Sequence, residues 1–117
     1  MQLQQLAQIT KALGDPIRLQ ILDLIRSGYR GLRIIEACCS DGVCVCDIQE
    51  KLGMAQSKVS YHLRELKQAG LVNEKKVGKW NFYTINEETF RILHEEIDQR
   101  YLKKKEEELV DNRLALE

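Results

Sequence analysis

Apolar residues recur at helical spacing over most of the chain and change to a strand-like rhythm once, after residue 70. Leu3, Leu6, Ile9 or Thr10, and Leu13 predict an amphipathic helix over 2–13, ended by Gly14. In Asp15-Pro16 the aspartate suits an N-cap and the proline a first helical position. Ile17, Ile21, Leu24 and Ile25 then carry a helix over about 16–27, closed by Ser27-Gly28. Further on, Asp47 is placed to cap a short helix over 47–53, with Ile48 and Leu52 inward and Gly53 as its stop. Met54-Ala55-Gln56 makes a turn, and Ser57 lies at or near the next N-cap. Val59, Leu63 and Leu66 stripe a helix running to about Ala69, with Gly70 as its C-cap. The runs 71–77 and 80–85 alternate as strands around Gly78-Lys79, which predicts a β-hairpin. Asn86 caps a last helix striped by Phe90, Leu93 or His94, Ile97 and Tyr101. Short helix, tight turn and second helix form a helix-turn-helix, and a hairpin directly behind it stands where a wing would. The expected class is mainly α with a β-hairpin.

Residues 28–43 are less readable. Leu32, Ile34, Ile35 and Ala37 fit a short helix or an extended piece, and Ser40-Asp41-Gly42 signals a turn. Connections this long in a small domain tend to be functional. The run Lys103-Lys104-Lys105-Glu106-Glu107-Glu108 reads as a solvated charge run, so 103–117 is expected to be a charged extension of a 1–102 domain.

Length bounds the rest. A chain of 117 residues with 44% apolar content makes one domain with a small core. Such domains bury only about 60–70% of their unfolded surface, so self-association would help. Neither a membrane-spanning run nor a basic-then-apolar leader is present, so a cytoplasmic location is expected. Net charge is zero, but residues 54–85 carry six cations (Lys58, Arg64, Lys67, Lys75, Lys76, Lys79) against Glu65 and Glu74. Local charge is what meets phosphates.

That basic third contains the candidate nucleic-acid surface. With the apolar stripe inward, Lys58, Tyr61 and Arg64 face outward, and Ser57 and Ser60 lie near the helix start, the end that enters a major groove. Gln56 and Ser57 suit base edges or phosphates; Lys58 and Arg64 suit phosphates or guanine. His62 lies beside the stripe, as a structural or a DNA-contacting residue, and Lys75, Lys76 and Lys79 arm the hairpin. Double-stranded DNA is the implied partner.

Cys38, Cys39, Cys44 and Cys46 fall within nine residues. In a cytosolic chain such a cluster points to soft-metal binding or redox sensing, although free cysteines also bury readily as small core residues. In an extended segment Cys44 and Cys46 would face one side; in a regular helix they would diverge by about 200°. Chelation by both therefore requires a break in the helix, which makes the site a switch. Thiolates select Zn(II), Cd(II), Pb(II), Cu(I) or a metalloid such as As(III). The spacing is not that of a structural zinc site. A disulfide between Cys38 or Cys39 and Cys44 or Cys46 is the redox alternative. Neither a Cys-x-x-Cys nor a Gly-rich phosphate loop occurs, so an enzyme is not expected and no organic cofactor is implied. His94 and Asp98 do not by themselves make a metal site.

Three segments carry a resemblance: Cys44-Val45-Cys46-Asp47-Ile48, the run from Gln56 through Leu63 and Leu66 to Gly70-Leu71-Val72, and Gly78-Lys79-Trp80-x-x-Tyr83. With Leu13-Gly14-Asp15-Pro16-x-Arg18 they cover roughly 6–86. The chain resembles the ArsR/SmtB family of metal-sensing winged-helix repressors, most closely its arsenic-responsive branch. The resemblance implies a homodimer through the first and last helices, operator binding without ligand, and release by As(III) or Sb(III), with Cd(II) or Pb(II) as the alternative. Arsenic sensors of this branch carry a third cysteine three residues after the pair, where this chain has Gln49. Cys38 or Cys39 is then the natural substitute. The paired Asp and His residues of the family's zinc site on the last helix are not matched.

Overall fold

In a computed structural model of the protein the described residues are 1–28 and 42–102. Most of the 28–43 connection, with Cys38 and Cys39, and the 103–117 extension lie outside them. The elements run α1 (Leu3–Leu13), α2 (Pro16–Ser27), β1 (Val43–Cys44), α3 (Val45–Leu52), α4 (Gln56–Gln68), β2 (Val72–Val77), β3 (Trp80–Ile85) and α5 (Glu87–Ile97). A π-helical stretch, Asp98–Leu102, continues α5.

The helix ends follow local chemistry. The Asp15 carboxylate accepts from the amides of Ile17 (2.8 Å) and Arg18 (3.3 Å), and Pro16, which has no amide to satisfy, takes the first helical position. Asn86 accepts from the Thr89 amide at the start of α5. At the end of α4 the cap is Ala69, with Gly70 one residue on at φ 78°. There the Leu71 amide reaches the Leu66 carbonyl at 3.0 Å, a bond that needs a left-handed residue in between. The buried face of α1 is Leu6, Ile9 and Ala12, while Leu3 is exposed.

The expectation for α3 needs correction. Asp47 does not cap this helix: it begins two residues earlier, at Val45, with Cys44 in the cap position. The cause is β1, which pairs antiparallel with β3 (Val43 with Tyr83, Cys44 with Phe82) and keeps Cys44 extended until the chain turns into α3. The sheet order is β1-β3-β2, with β2 and β3 in register from Val72–Ile85 to Val77–Trp80. Gly78, at φ 61°, opens the two-residue turn at the tip, where positive φ matches strand twist.

The core gathers Leu6 and Ile9 of α1, Ile21 and Ile25 of α2, Ile48 of α3, and Val59, Leu63 and Leu66 of α4, and Val43 and Tyr83 of the sheet join it. It fixes α3 against α4 as a helix-turn-helix with the β2–β3 hairpin as wing. Gly42 sets the entry to β1. It sits at φ 117°, and an added Cβ would come within 2.5 Å of the Tyr83 carbonyl oxygen. Gly42→Ala should therefore cost about 2 kcal/mol or more, because both the backbone conformation and the strand pairing are strained. A urea melt at constant m-value measures this.

Candidate functional site

Cys44 ends β1 in extended conformation (φ −73°, ψ 145°), and Cys46 lies in the first turn of α3. The break in backbone geometry falls between them, and it brings their Sγ atoms to 2.8 Å. Cys44 is buried and Cys46 exposed. Asp47 adds a carboxylate oxygen within 4.8 Å of both sulfurs. Sequence reading treated Asp47 only as a cap, yet its place right after the pair, in the first turn of the same helix, was the available signal. Desolvation, then the Cys44 thiol and the Asp47 charge, push the Cys46 thiol up to about 12. Desolvation and the neighbouring Glu50 push the Asp47 carboxyl up as well.

The arrangement suits a soft ion but is not preset for one. Metal–sulfur bonds near 2.3 Å at tetrahedral angles hold two sulfurs about 3.7 Å apart. Rotation at Cys46, or a small movement of the first turn of α3, brings the pair to that separation. Gln49, half-buried, stands one turn beyond Cys46.

The thiol pair opens into a cleft of about 620 Å³. One wall is Cys44, Cys46 and Gln49. A second is the stripe Gln56, Ser60, Arg64 and Lys67 of α4. The hairpin supplies the third, with Lys79, Trp80 and Asn81. Lys67 is engaged with Glu74 (2.7 Å), which also accepts from the Tyr83 hydroxyl (2.7 Å) and ties α4 to both strands of the wing. Those two hydrogen bonds, Lys67 first, hold the Glu74 carboxyl below its ordinary value. Burial, then the bond to Glu74, push the Tyr83 phenol up.

Of the candidate DNA contacts, Gln56, Ser57, Lys58, Ser60, Tyr61, Arg64, Lys75, Lys76 and Lys79 are all exposed. His62 is the exception. It is buried, and its Nδ1 accepts from Arg18 Nε at 3.2 Å. Of its two sequence readings, the structural one matches this position. Arg18, itself buried, also lies 5.8 Å from the Tyr61 ring centre, so one guanidinium from α2 braces two successive residues of α4. No sequence spacing pairs residues 44 apart, and this brace was not anticipated.

Comparison with known proteins accords with this geometry. Residues 15–74 match the model described as bacterial regulatory protein, arsR family. The arsenical resistance operon repressor of Bacillus subtilis is 35% identical over 105 residues, 89% of each chain. An uncharacterised HTH-type transcriptional regulator of Methanocaldococcus jannaschii is 37% identical over 93 residues, 80% of this chain and 91% of that one. Among solved structures, the homodimeric winged helix-turn-helix DNA-binding domain of a possible ArsR-family regulator from Mycobacterium bovis superposes with a TM-score of 0.60 at 31% identity, covering 86% of this chain and 84% of that one. Family and fold are those of a DNA-binding regulator, not an enzyme. The chain belongs to the ArsR family of transcriptional regulators.

Proposed function

We propose that this protein is a metalloid-responsive repressor. As a homodimer it binds operator DNA through α4 and the wing, and it is released when As(III) or Sb(III) is captured by Cys44 and Cys46. Cys38 or Cys39 supplies the third thiolate. The observation that carries this reading is the meeting of two thiols at the start of the helix packed against α4. Seating an ion between the two sulfurs moves the first turn of α3, and Ile48, fully buried one turn on, carries that movement to the core beneath α4. The dimer reading draws on exposed apolar residues of the first and last helices, Leu3, Ile92, Tyr101 and Leu102, and on the homodimeric relative.

Arsenite titrated into a complex of reduced protein with a fluorescent duplex, taken from upstream of its own coding sequence, tests the function. Anisotropy should fall to that of free DNA. Retention of full affinity in excess arsenite overturns the reading.

Cd(II) or Pb(II) is a second reading, favoured by the Asp47 carboxylate beside the thiols. Proton balance separates the two. Arsenous acid and three thiols condense to a trithiolate and three waters, with no net proton released. A divalent ion must displace a proton from each thiol, so its apparent affinity rises about tenfold per pH unit for each proton displaced. A response flat between pH 6 and 8 fits the metalloid, and a steep rise fits the divalent ion. Gln49→Cys provides a further check. Residues three apart on a helix are neighbours at about 5–6 Å between Cβ atoms, so a third thiol enters the cleft beside Cys46. The arsenite concentration for half-release should then drop by about tenfold or more.

A further inference from the structure

We infer that a DNA backbone strand crosses the mouth of the thiol cleft, so that operator DNA and the thiol ligand compete for one space. This rests on the proposed DNA face. In a winged helix the recognition helix occupies the major groove while the wing reaches the flanking backbone, and a phosphodiester strand must pass between them. Here the space between α4 and the wing is the cleft itself: Ser60 and Arg64 line one side, Lys79 and Trp80 another, and Cys44 and Cys46 the third. Lys67 offsets Glu74 in its lining, and Arg64 and Lys79 leave that space with the sign a phosphate strand needs. Cys46, the exposed member of the pair, is the atom such a strand covers. Two consequences follow. The bound operator slows capture of the ligand, and a group on Cys46 that reaches into the mouth of the cleft keeps DNA off, even without chelation.

The experiment uses the full wild-type chain. Alkylation of Cys46 by N-ethylmaleimide is followed by peptide mass spectrometry, with and without the upstream duplex, while anisotropy reports binding in the same samples. With duplex at about ten times its Kd, only about a tenth of the protein is unbound, so the Cys46 rate should fall about tenfold. It should recover when salt releases the DNA. Partly modified protein passed over immobilised duplex should leave the Cys46 adduct enriched in the unbound fraction. An unchanged rate at saturating duplex, or an adduct shared equally between bound and unbound protein, overturns the inference. The outcome is separable from the proposed function. Release by arsenite without protection of Cys46 sinks only the shared cleft, whereas protection without release by arsenite sinks only the metalloid response.

Discussion

Cys46→Ser should leave operator binding within about twofold of wild type and raise the arsenite needed for half-release by more than about 100-fold. The size follows from the site. Partners that merely orient a metal's ligands cost about 10–100-fold when removed, so loss of a ligand exceeds the top of that range. The selectivity follows from position. Cys46 is exposed in the first turn of α3, and serine there removes no core contact. Cys44→Ser should show the same loss of response with some loss of stability, because that side chain is buried at the end of β1 and a hydroxyl there carries a desolvation cost that a thiol avoids. The pair therefore separates ligation from folding. Equal loss of DNA binding and of response in Cys46→Ser would mean that the residue serves the fold, and an unshifted arsenite curve would remove it from the site.

How much of this was legible in the sequence depends on the range of the interactions. The caps at Asp15 and Asn86 and the hairpin turn at Gly78 are set by neighbours within a few residues, and they stand where the residue types placed them. The stripe Val59, Leu63, Leu66 is equally local and is fully buried. The start of α3 was not legible, because its cause is the pairing of Val43 and Cys44 with a strand some 40 residues later. A two-residue strand has too few positions to show a period. The same holds for the Arg18–His62 brace: a histidine beside an apolar stripe shows that it is half-inside, not which helix holds it. At the site, the residue types identified the thiols, but their separation of 2.8 Å depends on a strand–helix junction falling between them, and the junction is a tertiary product.

Operator affinity should collapse with salt even though the chain as a whole is neutral. Lys58, Arg64, Lys76 and Lys79 are exposed on the proposed DNA face, four per protomer and eight in the proposed dimer. If each neutralises one phosphate, the plot of log K against log salt has a slope of about −7, and affinity falls about 10⁴-fold between 50 and 200 mM. The cations are not equivalent, and this gives the prediction its internal control. Lys67 is held at 2.7 Å by Glu74, whose carboxyl the pairing keeps well ionised, so that charge is already compensated within the protein. Lys67→Gln should leave the slope within about one unit of wild type. Lys79 lies over the Trp80 ring at 5.4 Å, a contact that fixes the ammonium at the tip of the wing without cancelling its charge. Lys79→Gln removes two phosphate contacts per dimer and should flatten the slope by about two units. Equal effects from the two variants would show that bulk charge rather than the wing's position drives binding. A nearly flat wild-type slope would detach these cations from the DNA altogether. The expected contrast requires that the zero net charge of the chain be divided in space, with the basic third turned toward the phosphates and the acidic residues of α5 turned elsewhere.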